Sequence, residues 1–197
     1  TGVQTCALPI LKEGNAPKSK QPRPVPFAMR DAVSAELDRM EAEGAIRPVA
    51  HSEWATPLVC VPRKEGRIRL CGDYKVTLNQ QLNIETYPMP TPSELLHTMR
   101  GGKRFTKLDL SSAYQQMRLD PESRKLVTIT THKGLYELMR SPYGVASAPA
   151  IFQKYMDQLL QGMDMVVCRL DDILISGRTD EEHLATLTEV FRRLRQA

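Results

Sequence analysis

No stretch of this chain approaches the ~18 to 20 consecutive apolar residues that a membrane-spanning helix requires, so neither a membrane span nor a membrane partner is expected. Cysteine is scarce, with four in 197 residues. Cys60 and Cys71 are too far apart for a paired-thiolate metal knuckle and Cys168 stands alone, so these read as free thiols in a reducing compartment. The four histidines, His51, His97, His132 and His183, form no HxxxH pair, which argues against a zinc enzyme. A large excess of one charge is also missing. The net charge is +4, yet the basic residues are grouped as Lys18, Lys20 and Arg23; Arg63, Lys64, Arg67 and Arg69; and Arg100, Lys103, Arg104 and Lys107. Groups of this kind favour a polyanionic partner, although each alone also reads as a solvated face.

With 41% hydrophobic and 25% charged residues, the composition is that of a globular domain, long enough for one large domain or two small lobes sharing a core. Residues 1–10, TGVQTCALPI, resemble the translation of a sequencing adapter and are expected to be non-native, with the true N-terminus missing; an N-terminal strand is the structural alternative. Residues 11–26 carry Pro17, Pro22, Pro24 and Pro26, which disfavour helix and central strand and predict an extended lead-in.

Met29, Val33, Leu37 and Met40 recur at helical spacing before Gly44, predicting a helix over 29–43. Strands are expected over 54–62 and 68–71, around a basic turn at Lys64-Glu65-Gly66. After the proline-punctuated YPMPTP come a short helix over 93–99 and a strand ending at Asp109. A second hairpin is expected from Lys125–Thr131 and Leu135–Arg140 around Lys133-Gly134. Ser147 and Pro149 mark the start of a helix whose apolar face is Ile151, Phe152, Tyr155, Met156, Leu159 and Leu160. Thr179 and Glu182 have capping-box spacing ahead of a last helix with Leu184, Leu187, Phe191 and Leu194 on one stripe. Hairpins mixed with helices imply an α+β fold with an antiparallel sheet.

The segment VVCRLDDILISG, residues 166–177, places Asp171 and Asp172 between two strand-forming apolar runs. Adjacent carboxylates repel each other unless a cation sits on them, and a divalent metal answers that need; an ordinary solvated turn is the other reading. Asp109 alone could be a helix N-cap. If the strands bearing Asp109 and the acid pair are neighbours, three carboxylates converge and could hold two Mg²⁺ ions, the arrangement that stabilises both oxygens of an in-line phosphoryl displacement. Nucleotidyl transfer is the reaction class this favours.

Five ordered blocks then become informative together: HSEWATPLVCVPRKEGRIRLCGDYKVTLNQQL (51–82), YPMPTPSELL (87–96), KLDLSSAYQQ (107–116), SPYGVASAPAIFQ (141–153) and CRLDDILISG (168–177). In sequence, order and spacing the chain resembles the reverse transcriptase of a gypsy-type LTR retrotransposon Pol polyprotein over most of residues 22–195. The resemblance implies a right-hand polymerase fold with fingers at about 27–86 and 115–148, and an incomplete palm at about 87–114 and 149–197. It implies an RNA-directed DNA polymerase that extends a primer on an RNA or DNA template with dNTPs, using two Mg²⁺ ions or Mn²⁺. It also implies a location in cytoplasmic virus-like particles and the nucleus.

By the same resemblance, Asp109, the Leu110 carbonyl, Asp171 and Asp172 are metal ligands, with Asp172 contributing less directly. Arg63 and Arg69 would hold the triphosphate, in keeping with the forked pairing of arginine and phosphate. Tyr114 would gate against a 2′-hydroxyl, and Tyr143, Gly144 and Val145 would line the nucleotide site. Two departures stand out. Arg169 occupies a position that is normally tyrosine and contacts the primer, which puts a cation two residues from a ligand; repulsion worth ~1 to 4 kcal/mol predicts impaired polymerisation. The chain also lacks the later palm, thumb, ribonuclease H and integrase regions, so it is expected to be inactive alone and to aggregate through exposed palm strands. A catalytically inactive remnant that binds nucleic acid is the alternative; an unrelated two-metal nuclease or an RNA-directed RNA polymerase explains neither the finger hairpin nor Tyr114.

Overall fold

The computed structural model describes residues 5–6, 11–62, 68–84 and 86–197, which separate into two units. The first comprises Thr5–Glu85 and Tyr114–Ala148; the second is built mainly from Thr86–Ala113 and Pro149–Ala197. In chain order the elements are β1 (Thr5–Cys6), α1 (Phe27–Ala42), β2 (Ile46–Val49), β3 (Thr56–Pro62), β4 (Ile68–Gly72), α2 (Pro92–Thr98) and β5 (Arg104–Asp109). They continue with β6 (Arg118–Leu119), α3 (Pro121–Leu126), β7 (Ile129–Thr131), β8 (Gly134–Leu138), α4 (Ala148–Leu159), β9 (Val166–Arg169), β10 (Asp172–Gly177) and α5 (Asp180–Gln196).

In the first unit the main sheet has the order β2-β8-β7-β3-β4. Helix α1 buries Val33, Leu37 and Met40, the apolar face its spacing predicts. It ends where Gly44 takes φ +66°, while Ala45 N–H reaches the Met40 carbonyl and Gly44 N–H the Glu41 carbonyl. That is a Schellman closure, and glycine enters the left-handed region without a Cβ penalty. These residues join Trp54, Leu58, Leu70, Tyr74, Leu78, Leu119, Ile129, Tyr136 and Leu138 in one core.

Two expectations need correction here. The sheet is not wholly antiparallel, because β3 and β7 pair in parallel, as do β1 and β6; β3 and β7 are distant in sequence, so nothing forces a hairpin between them. Lys125 and Leu126 are not strand residues: they close α3, whose N-cap Asp120 accepts from the Glu122 and Ser123 N–H groups at 3.0 Å, with Pro121 at the first helical position. A carboxylate cap with proline next to it outweighs the strand propensity of the residues beyond.

The second unit holds an antiparallel sheet in the order β5-β10-β9. Its buried apolar residues include Phe152 and Met156 of α4, Leu160, Val166 and Cys168 of β9, Ile173 and Ile175 of β10, and Val190 of α5. Helix α5 starts at Thr179, whose hydroxyl accepts from the Glu182 N–H. The reciprocal half of a capping box is displaced by one residue, since Glu182 Oε2 accepts from Arg178 N–H. The expected stripe is also rotated: Leu184 and Phe191 are exposed, whereas His183 and Val190 are buried. His183 faces the sheet because its Nε2 is bonded to Thr106 Oγ1 at 2.8 Å and its backbone packs against Gly177, where a Cβ would have no room. No helix among the described residues is long and apolar enough to cross a membrane.

Candidate active site

Strand β5 ends at Asp109 and β10 begins at Asp172, and the antiparallel register sets these two residues directly opposite each other. Across the other edge of β10, Asp172 is opposite Arg169 of β9. Directly opposed residues share a face with Cβ atoms about 4.5–5.5 Å apart, so Asp109, Asp172 and Arg169 form one row across three strands. The register also makes the β9–β10 connection only two residues long, Leu170 and Asp171. Leu170 has φ +56°, a left-handed conformation that costs a non-glycine residue about 1–2 kcal/mol. Asp171 is tied down through its backbone, its carbonyl accepting from the Leu110 N–H at 2.8 Å. The sequence-predicted carboxylates are therefore carried by the ends of adjacent strands and joined by backbone.

They are not drawn onto one point. Among the described residues no group of three or more His, Cys, Asp or Glu side chains is gathered as metal ligands would be. Mutual repulsion keeps unneutralised carboxylates apart. Instead a lysine supplies the local cation: Lys107, two residues before Asp109, places Nζ 2.9 Å from Asp172 Oδ2. The hydrogen bond and charge of Asp172, with smaller contributions from Asp109 and Asp171, raise the Lys107 pKa above its ordinary 10.5. Lys107 had counted in the sequence only as one of a basic group. The donor set fits Mg²⁺, being carboxylate and carbonyl oxygens, with Asp109 and Asp171 exposed to solvent. Cys168, between them and the core, is not reactive; burial first, then the charges of Asp157, Asp171 and Asp172, push its thiol up to about 12.

One side chain that carried no role in the sequence stands behind this turn. Gln153 of α4 is fully buried and bonds to the Cys168 carbonyl, the Leu170 N–H and Asp157, each at 2.8 Å. It lies in the SPYGVASAPAIFQ block, but a glutamine in an amphipathic helix reads as a solvent-facing residue.

A second cluster lies wholly within the first unit. Arg69 of β4 sets its guanidinium over the Tyr143 ring, 4.7 Å from the centroid. Tyr143 in turn meets Tyr114 edge-on, with centroids 5.4 Å apart and planes at 71°. Three predicted nucleotide-site residues are thus one continuous cation–aromatic stack. Gly144 has φ +94°, and a Cβ there would lie 3.2 Å from the Gly72 carbonyl oxygen. The loop is held by Asn79, which donates to the Gly144 carbonyl at 2.8 Å and accepts from Ala146 N–H at 2.9 Å. Asn79 is a further residue the sequence left without a role, its only signal being its place within a family block. Arg63 and the basic turn at 64–66 lie outside the described residues.

Residues 61–197 match the family model described as reverse transcriptase (RNA-dependent DNA polymerase). The chain belongs to the reverse transcriptase family. It is 38% identical over 187 residues to the uncharacterized protein K02A2.6 of Caenorhabditis elegans, covering 94% of this chain and 15% of that protein. It is 34% identical to the transposon Tf2-3 polyprotein of Schizosaccharomyces pombe, covering 88% of this chain and 13% of the polyprotein. Among solved structures, native prototype foamy virus protease-reverse transcriptase matches with a TM-score of 0.82 and 28% identity over 96% of this chain and 25% of that one. This reverse transcriptase segment therefore has the α+β polymerase fold, and it spans about a seventh of these cellular relatives' length.

Proposed function

We propose that this chain is the fingers-and-palm part of an RNA-directed DNA polymerase of a gypsy-type LTR retrotransposon, acting with the further Pol regions on a primed RNA or DNA template. The observation that carries the reading is the register pairing of Asp109 with Asp172 across neighbouring strands, with Asp171 bonded through its backbone to Leu110. Asp109, Asp171 and the Leu110 carbonyl would hold two Mg²⁺ ions, or Mn²⁺, with Asp172 in support; these ions would lower the pKa of the primer 3′-hydroxyl and neutralise charge on the phosphates.

The reaction is an in-line displacement. The primer 3′-oxygen loses its proton and bonds to the α-phosphorus of a dNTP, while the bond to the bridging oxygen breaks and pyrophosphate leaves with that electron pair. Arg69, with Arg63, would grip the triphosphate, and Tyr143 would hold the Arg69 guanidinium flat. The Tyr114 ring would exclude a 2′-hydroxyl by steric overlap. We place the protein in cytoplasmic virus-like particles with access to the nucleus.

Primer extension on an RNA template by a longer polypeptide carrying this chain is the test. Divalent-dependent incorporation that Asp109→Asn abolishes supports the reading, and incorporation that survives this substitution overturns it. A second reading, a catalytically inactive descendant that binds nucleic acid, is favoured by Arg169 opposite Asp172. It predicts primer–template binding without extension.

A further inference from the structure

The hairpin that carries Asp171 and Asp172 has a built-in conflict. Its two-residue connection needs a left-handed first residue, a position that glycine usually takes, and the chain supplies Leu170 at φ +56°. Leu170 N–H also points away from the β9–β10 ladder and finds its acceptor in Gln153 Oε1, at 2.8 Å. The same primary amide donates from Nε2 to the Cys168 carbonyl at 2.8 Å and to Asp157 Oδ1 at 2.8 Å. Gln153 is 0% exposed, and both N–H bonds and the carbonyl of its amide are used.

We propose that Gln153 is a positioning residue for the carboxylate turn: it holds Leu170 left-handed and so fixes where Asp171 and Asp172 emerge. No other side chain satisfies the constellation. A carboxylate keeps an acceptor for Leu170 N–H but loses both donors and faces Asp157; asparagine is one methylene short; an apolar residue leaves the Leu170 donor and the Cys168 acceptor without partners. The amide cannot flip either, because each end meets a group that accepts only one orientation. The Asp157 carboxylate also acts on the Tyr87 hydroxyl and raises the tyrosine pKa. Through Gln153, α4 is tied to the turn. The catalytic consequence rests on the polymerase reading above; the clamp itself does not.

Gln153→Met keeps the side-chain length and removes all three hydrogen bonds. In the full 197-residue chain, amide hydrogen exchange at Leu170 should quicken about tenfold, the order expected for losing one hydrogen bond, while Ile173 and Ile175 in the β10 core keep their protection. In a longer polypeptide with polymerase activity, kcat should fall about tenfold or more with the dNTP KM within about twofold of the parent, since only the alignment of the carboxylates has changed. Adding Leu170→Gly, which makes the left-handed turn easy without a clamp, should restore most of the lost kcat. Leu170 protection equal to the parent's, or a kcat loss that Leu170→Gly leaves untouched, overturns the proposal. If Gln153→Met loosens Ile173 and Ile175 as well, the comparison is made between Leu170→Gly with and without Gln153→Met, and a lower kcat in the pair refutes the turn as the target. Faster Leu170 exchange in a parent without polymerase activity would uphold the clamp and overturn the polymerase reading alone.

Discussion

Arg169 stands directly opposite Asp172 in the β9–β10 register, so a guanidinium shares a sheet face with the carboxylate row. Lys107 already lies on Asp172, which gives this row two basic neighbours.

Replacing Arg169 with tyrosine should therefore raise polymerase activity. Removing one cation about two residues from the metal ligands relieves repulsion of ~1 kcal/mol or more, equivalent to at least about fivefold in rate. Single-turnover extension by a longer polypeptide at several divalent-ion concentrations measures this. The gain should be largest at low Mg²⁺ and shrink as salt rises. An unchanged rate would clear Arg169 of blame.

Tyr143 offers a separable prediction about nucleotide binding. An exposed cation–aromatic contact is worth about 0.5–1 kcal/mol, so Tyr143→Leu should raise the dNTP KM about two- to fivefold by freeing the Arg69 guanidinium. Tyr143→Phe keeps the ring and should stay near the parent. The kcat should change little in either variant, in contrast to substitutions at the carboxylate turn. Equal KM values for leucine and phenylalanine would show that the stack of Arg69 on Tyr143 does not serve the nucleotide.

How much of this arrangement was legible beforehand depends on the range of the interaction. The α1 face and its Gly44 stop, the Thr179 cap and the strand ending at Asp109 rest on neighbours a few residues apart, and the sequence pattern carries them. The opposition of Asp109 and Asp172 depends on pairing between strands more than sixty residues apart; composition shows two acidic strand ends but not their register. Helix α5 illustrates another limit. His183 and Leu184 start adjacent helical stripes, and the choice between them is made by Thr106 and Gly177, which no periodicity reports. Gln153 was hidden for the opposite reason, since a buried amide with three partners looks in sequence like any polar helix residue. The two-unit division and the parallel β3–β7 pair likewise arise from distant contacts. The family blocks located the residues of both clusters where local physics could not, yet they did not reveal that Arg69, Tyr143 and Tyr114 stack in sequence.

Gly144→Ala should destabilise the first unit. The residue sits at φ +94° with the Gly72 carbonyl only 3.2 Å from a built Cβ, so left-handed strain of about 1–2 kcal/mol is added to a tight backbone contact. For a chain of this size each kcal/mol lowers Tm by about 2–4 °C. Calorimetry should show that loss, and Asn79→Ala, which removes both hydrogen bonds that hold the same loop, should lower Tm in the same direction. An unshifted Tm for Gly144→Ala would mean that the loop relaxes freely away from Gly72.

Acid should loosen the C-terminal part of α5 before it unfolds the rest of the second unit. Hydrogen bonds from Arg192 and then Arg193 hold the Glu189 carboxyl below its ordinary 4.5, at about 2. A carboxyl with a lowered folded-state pKa contributes stability that is fully present above the ordinary value and disappears as pH falls through the lowered one, so the window runs from about pH 4.5 down to about pH 2. Arg193 also donates to the Leu159 and Gln161 carbonyls at 2.9 and 2.8 Å, linking the end of α5 to the end of α4. Protonating Glu189 removes the carboxylate that orients this guanidinium. A carbon-detected NMR titration should place the Glu189 transition well below that of an unpaired glutamate, with faster exchange of the amides around Arg193 over the same range. In Arg192→Gln the Glu189 transition should move up towards 4.5. The pair is solvent-exposed, so high salt should move it the same way. A Glu189 transition at 4.5 in the parent, insensitive to both changes, would mean that the two arginines do not hold the carboxylate in solution.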